Sequence, residues 1–124
     1  MDRIMERNAV IRSVEITNDD HGLLSAWVHL EWDGGGQGFG GYGLYLPKDF
    51  SHHDGERTPF AGHFIWRVME VAGVNKWSEL KGKTVRIRHE HSKVHAIGNI
   101  IKEDWFNPEE EFIQLRALHG RQIH

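Results

Sequence analysis

Seven of the chain's fourteen glycines fall between Gly34 and Gly43, in the stretch GGGQGFGGYGLYLP that ends at Pro47. A backbone this bare constrains the fold more than any other feature. It leaves both faces of the segment open to a ring, a ligand or another strand. Gly36, Gly38 and Gly41 spell G-x-G-x-x-G, but a dinucleotide cradle needs a helix straight after the glycines, to present its N-terminus to the pyrophosphate. YGLYLP follows instead, strand-like and closed by proline, and no Gly-Lys-Ser/Thr completes a phosphate loop. The strip is therefore expected to be a strand, entered by a turn at Gly34–Gly36. Alternation puts Gly36, Gly38, Gly40, Tyr42 and Leu44 on one face and Phe39, Gly41, Gly43 and Tyr45 on the other. Two roles are open: a bulged, curved strand whose glycines are filled by Trp27 or Trp32, or a surface that touches a ligand or partner directly.

The flanks say what the strip belongs to. LLSAWVHLEW has a period of two, with Leu24, Ala26, Val28, Leu30 and Trp32 on a core face and Trp27, His29 and Glu31 opposite. Residues 9–17, AVIRSVEIT, form a β-branched strand before it, with NDDHG as the turn. After the strip, 48–57 reads as a polar loop. Thr58 caps and Pro59 opens a helix with Phe60, Phe64, Val68 and Val71 at helical spacing, stopped by Gly73. A short helical turn at KWSEL leads to Gly82, then to strands 83–91 and 94–102 joined at Ser92-Lys93. That register puts Val85, Ile87, His89, Val94, Ala96 and Ile100 inside, and Arg86, Arg88, Glu90, His95, Ile97 and Asn99 outside; a one-residue slip inverts it. Asn107, Pro108, three Glu and Gly120 punctuate a C-terminal helix. The fold class is α+β: a β-β-β-α-β-β antiparallel sheet or OB-like barrel, packed by one main helix, with a C-terminal helix. The organisation is an extension over 1–8, one domain over 9–106 and the helix over 107–124.

A net charge of −3 gives no global basic field, so any polyanion site must be a local patch. Arg86, Arg88 and Asn99, with His95 on the same face and Lys93 at the tip, form such a patch. Trp27 and Tyr42 supply stacking surfaces, and Gly38, Phe39, Gly40 and Gly41 the close approach, so these ten residues apart from Lys93 are the candidate ligand contacts. The absence of cysteine excludes disulfides and thiolate metal sites. His89 and His91, and the trio His52-His53-Asp54, lack the spacing of a histidine metal site, so no metal or cofactor is expected. No nucleophile motif is present, and an enzyme is not expected. No apolar run approaches the roughly 18 residues of a membrane span. The N-terminal MDRIMERNAV lacks a signal peptide's apolar core, and a cytoplasmic protein with no membrane partner is expected.

DHGLLSAWVHL, GQGFGGYGL, FIWRVMEVAGVNKWSELKGKTVRI and KVHAIGNIIKEDWFNP together resemble a family of small proteins encoded by phages and prophages, over about residues 10–108, with GQGFGGY the most specific stretch. The resemblance implies an accessory role in the host cell, exerted by binding. The expectation is an oligomeric counter-defence factor that sequesters a nucleotide-like signal or blocks a host defence protein. The alternative is an OB-like single-stranded nucleic-acid-binding protein of phage DNA metabolism. A third reading makes the glycine strand an interface between copies of the chain.

Overall fold

The computed structural model describes residues 3–20, 23–43 and 60–122. Among these residues six antiparallel strands form one sheet, and two α-helices complete an α+β fold as expected. They are β1 (Met5–Asp20), β2 (Leu23–Trp32), β3 (Gly35–Gly43), β4 (Thr84–Glu90), β5 (Lys93–Gly98) and β6 (Trp105–Phe106), with helices α1 (Phe60–Ala72) and α2 (Pro108–Gln122). Strand order across the sheet is β3-β2-β1-β4-β5-β6.

β1 is long because two partners share it. Met5–Val10 pairs with β4, and Val10 onward pairs with β2. The strand begins inside the expected N-terminal extension, since Met5–Asn8 are ladder residues. A bulge at Arg12 bends it between the two partners, where Ile11 also bonds Gly82 and Lys83. The sheet therefore curls into a half-barrel. β3 comes round to lie against β5, and Gln37 Nε2 donates to the His91 carbonyl at 2.8 Å across the seam. No β3–β5 ladder closes it among the described residues. This is the strand succession of an OB barrel left open along one seam.

The concave face holds the core. Ala26, Val28 and Leu30 on β2, Phe39 on β3, Val85 and Ile87 on β4, Ile97 on β5 and Phe106 on β6 are buried there. Phe39, Phe64 and Phe106 pack with ring centroids 5.5–6.1 Å apart. α1 closes the half-barrel with Phe64, Val68 and Val71, all fully buried. At about 1.5–3 kcal/mol per buried side chain, this stripe contributes roughly 5–9 kcal/mol, far beyond what a helix of 13 residues sustains alone in water. Gly73, at φ +76°, ends α1 as expected, with the Gly73 and Val74 amides bonded back to Met69. Asn107 caps α2 by accepting the Glu110 amide at 3.3 Å, but the helix runs through Gly120 to Gln122.

Arg67 joins α1 to the C-terminal elements. Its guanidinium, 13% exposed, donates to Asp104 at 3.0 Å, Glu111 at 3.2 Å, the Trp105 carbonyl at 2.9 Å and Glu70. Burial alone would lower its pKa, yet its hydrogen bonds to Asp104 and Glu70 and the charge of Glu111 hold it above its ordinary value. His63 donates from Nε2 to Glu111 at 2.7 Å beside it. No helix among the described residues is long and apolar enough to cross a membrane.

Two expected registers are corrected. In the β4–β5 hairpin the last pair is Glu90↔Lys93, so the turn is His91-Ser92 rather than Ser92-Lys93. A bulge at His95 then shifts the faces, because Ile87 pairs with Ile97. Ile97 enters the core, while Ile100 sits 41% exposed beyond the strand's end. In the strip, the turn is Asp33-Gly34, the two-residue type that suits a hairpin's twist, and Gly35 already pairs with Trp32. A further bulge lies at Gly40–Gly41, both at positive φ, so Gly38 and Gly40 do not share a face. The expected Pro47 strand end, the 48–57 loop, the Thr58–Pro59 cap and the His52-His53-Asp54 trio lie outside the described residues, as do the side chains of Leu24 and Tyr42.

Candidate functional site

The glycine strip is a floor for indoles. A Cβ on Gly38 would lie 3.1 Å from the Trp27 ring, and one on Gly41 within 2.7 Å of it. Trp27 therefore lies flat over β3, held off only by backbone hydrogens. A Cβ on Gly35 would meet Trp32 Nε1 at 2.9 Å, and one on Gly40 would meet the Ala26 carbonyl at 2.6 Å and Phe64 at 2.7 Å. Gly40 thus faces inward, and Phe39 is a core residue only 3% exposed. The two faces of β3 are bare for different reasons: one accommodates Trp27, the other Phe64.

On the outer face, the His29 ring lies nearly parallel to Trp27, at 12° and 6.3 Å between centroids. Glu15 fixes His29 by accepting its Nε2 proton at 2.8 Å. Beside this pair, Gly35, Gly36 and Gly38 floor a shallow depression of about 390 Å³, edged by Arg12, His29 and Glu31. Arg12 is exposed and paired to Glu31 at 3.4 Å. The arrangement is a flat aromatic shelf next to a side-chain-free floor, with one cation and two carboxylates around it.

Arg86, Arg88, His95 and Asn99 form a separate cluster. Arg88 sits opposite Glu6 along β1, and Trp27 opposite Glu15, so the two groups are about 25–30 Å apart at strand rise. The structure does not bring the arginines to the glycine strip. Arg86 donates to the Asn99 and Lys102 carbonyls, both at 2.8 Å, and pairs with Glu103 at 2.9 Å. Its hydrogen bond to Glu103, with that from Trp105 Nε1, holds the Glu103 carboxyl below its usual range. Asn99 spends its amide on the Val71 carbonyl and its oxygen on the Ile101 and Lys102 amides, which is a turn-forming role. His95 is held by Glu90 at 3.0 Å.

Sequence reasoning missed the residue that organises this second cluster. Trp105 on β6 lies flat over Gly98, whose Cβ would come within 2.7 Å of the indole, and Arg88 stacks on it at 3.8 Å. The signal was a Trp and a lone strand glycine, but pairing them required knowing that Gly98 opposes Trp105. Trp105, Arg88 and His95 then line a cleft of about 460 Å³ against Asn107, Glu110 and Gln114 of the α2 end.

No known protein family, curated protein or solved structure matches the chain.

Proposed function

We propose that this protein is a non-catalytic binding protein that takes a nucleotide-like small molecule by its base, on the outer face of β2 and β3. The observation that carries the reading is the Trp27 indole, seated on Gly38 and Gly41 with His29 parallel beside it. One ring face is spent on backbone, so the indole is already placed before any ligand arrives. A preplaced π-surface lowers the ordering cost of binding a planar group. In OB barrels the face of strands 2 and 3 is the one that receives nucleic-acid or sugar ligands.

Charge selects a small ligand over a strand. A single-stranded nucleic acid needs a track of cations along its backbone. The shelf offers Arg12, already paired to Glu31, with Glu15 close by. A base-bearing molecule with its phosphates turned to solvent suits that balance better than a polyanion does. In the phage setting that the sequence resembles, uptake of such a signal in the host cytoplasm is counter-defence.

The test is calorimetric titration of the purified chain with a panel of mono-, di- and cyclic nucleotides, and with oligo(dT) as the strand control. Base–aromatic stacking of about 1–3 kcal/mol predicts a 5- to 150-fold loss of affinity in Trp27→Ala. The proposal fails if no nucleotide binds at millimolar concentration, or if the folded variant binds as well as the parent. Tighter, salt-sensitive binding of oligo(dT) would favour the single-strand alternative.

A further inference from the structure

α1 turns a large apolar side chain to solvent, and the helical period explains why. Phe64, Val68 and Val71 fill the half-barrel, which puts Trp66 on the opposite face of the helix, 64% exposed. The loop after β5 adds to the same end of α1. Asn99 Nδ2 donates to the Val71 carbonyl at 2.8 Å, and Asp104 pairs with Arg67, so the loop is tied to α1 at both ends. Between those ties lie Ile100 and Ile101, 41% and 86% exposed. An exposed Trp grouped with exposed aliphatic side chains marks a protein–protein contact. Beside the indole is a hollow of about 370 Å³, lined by Trp66, Met69, Glu70, Gly73, Val74 and Asn75. Gly73 helps keep it open, since nothing stands within 4 Å of where its Cβ would be.

We propose that this surface pairs two copies of the chain, the Trp66 indole of each seated in the hollow of the other. Knob and hollow are neighbours on one surface. A two-fold axis lying in the interface between them sets each knob over the other copy's hollow, which is the self-complementarity an isologous dimer needs. The hollow suits an indole. A dry cavity of about 150 Å³ takes benzene, so 370 Å³ has room for the larger ring system. Met69 and Val74 give it apolar walls, while the Asn75 amide oxygen and the Glu70 carboxylate are acceptors for the indole N–H. Charge favours a like partner. Glu70 is the one charged residue among the described walls, and Arg67 matches it. Two chains of net charge −3 therefore meet there without a like-charge contact, and no charge is left to select an acidic or basic partner. A stable dimer needs about 800 Å² from each copy, and Trp66, Ile100 and Ile101 expose roughly half of that, so the pairing is weak and concentration-dependent. This inference does not rest on the Trp27 shelf, and either can fail alone.

The experiment is sedimentation velocity on the full chain from about 5 µM to about 1 mM, with Trp66→Ala, Asn75→Arg and Trp27→Ala beside the parent. The expected result is a shift from monomer to dimer across that range for the parent and for Trp27→Ala. Trp66→Ala should weaken association at least about 30-fold, as loss of a hot-spot aromatic does. Asn75→Arg, which puts a long cation at the rim of the hollow, should also leave the chain monomeric. Both positions are exposed, so thermal melts at the lowest concentration should match the parent. An equimolar mixture of Trp66→Ala and Asn75→Arg should pair again in part. One copy then still offers the knob and the other the hollow, while the altered knob and hollow face each other. A parent that stays monomeric at the highest concentration, a Trp66→Ala chain that dimerises like the parent, or a mixture no better than either variant alone would overturn the proposal.

Discussion

Gly40→Ala is the substitution that most directly tests how the strip is built. Gly40 has φ +117°, where an L side chain is strained by about 1–3 kcal/mol. Its Cβ would lie 2.6 Å from the Ala26 carbonyl and 2.7 Å from Phe64, a side chain with no exposure and no free direction to move. Overpacking of that kind adds about 1–3 kcal/mol. The alanine also restricts the unfolded chain, which returns about 0.4–1 kcal/mol. The net expectation is a loss of roughly 2–5 kcal/mol, a large part of the ~5–15 kcal/mol that holds a domain together. Gly38→Ala is the internal comparison. Its Cβ meets the Trp27 ring at 3.1 Å and His29 Nδ1 at an ordinary 3.9 Å, without positive φ, and a half-buried indole can tilt, so the cost should stay below about 1 kcal/mol. Urea titrations followed by far-UV circular dichroism give both values. At about 3–5 °C per kcal/mol for a chain of this size, the two melting temperatures should differ by at least several degrees. If the variants unfold within about 0.5 kcal/mol of one another, the bulge and the inward turn of Gly40 are wrong.

Three other outcomes follow from the same geometry. Gly62 lies in α1 with nothing within 4 Å of its Cβ position, so Gly62→Ala should stabilise by about 0.5–1 kcal/mol, read as a higher urea midpoint. Arg67→Met leaves Asp104 and Glu111 half-buried without their cation and should cost about 3–5 kcal/mol; a thermal melt within 3 °C of the parent would contradict the latch between α1 and α2. Glu103 is held below its usual range chiefly by the hydrogen bond from Arg86, so its contribution is present above the ordinary carboxylate pKa and is lost as pH falls through the lower folded value. Urea midpoints of the parent and Glu103→Gln should therefore differ most near neutral pH and converge in acid, and a gap that persists at pH 2 would refute the assignment.

Much of the fold could be read locally, because the signals that place β2, α1 and α2 are local. The period of two in LLSAWVHLEW, the stop at Gly73 and the Asn107-Pro108 start each depend on a few adjacent residues, and each appears where expected. The positions of the bulges at His95 and Gly40–Gly41 could not be read that way. Nothing in KVHAIG marks His95 as the extra residue; Ile97 reaches the core only because it pairs with Ile87 across the hairpin. The same holds at Gly40–Gly41, where a period-two reading has no reason to skip a step. Long-range partners were hidden for a similar reason. Arg67 looks like an exposed helix charge until Asp104 and Glu111, 37 and 44 positions on, are placed beside it.

The glycines and tryptophans turn out to be one feature. Trp27 over Gly38 and Gly41, Trp32 against Gly35, and Trp105 over Gly98 each seat an indole on a residue whose Cβ would collide with it. Glycine weakens a strand, and a flat aromatic neighbour restores the lost packing. That explains the bare strip without a ligand, and it also tells the three indoles apart. Trp105 carries Arg88 on its ring, and Trp32 is tucked against His89 at 4.7 Å inside the half-barrel. Trp27 has His29 alongside and no cation over its ring among the described residues. Of the three indoles, it is the one held flat by glycine, placed on the outer face and free of a cation over its ring among the described residues. A ligand that stacks should therefore choose Trp27, and Trp105→Ala should leave nucleotide affinity unchanged while Trp27→Ala reduces it.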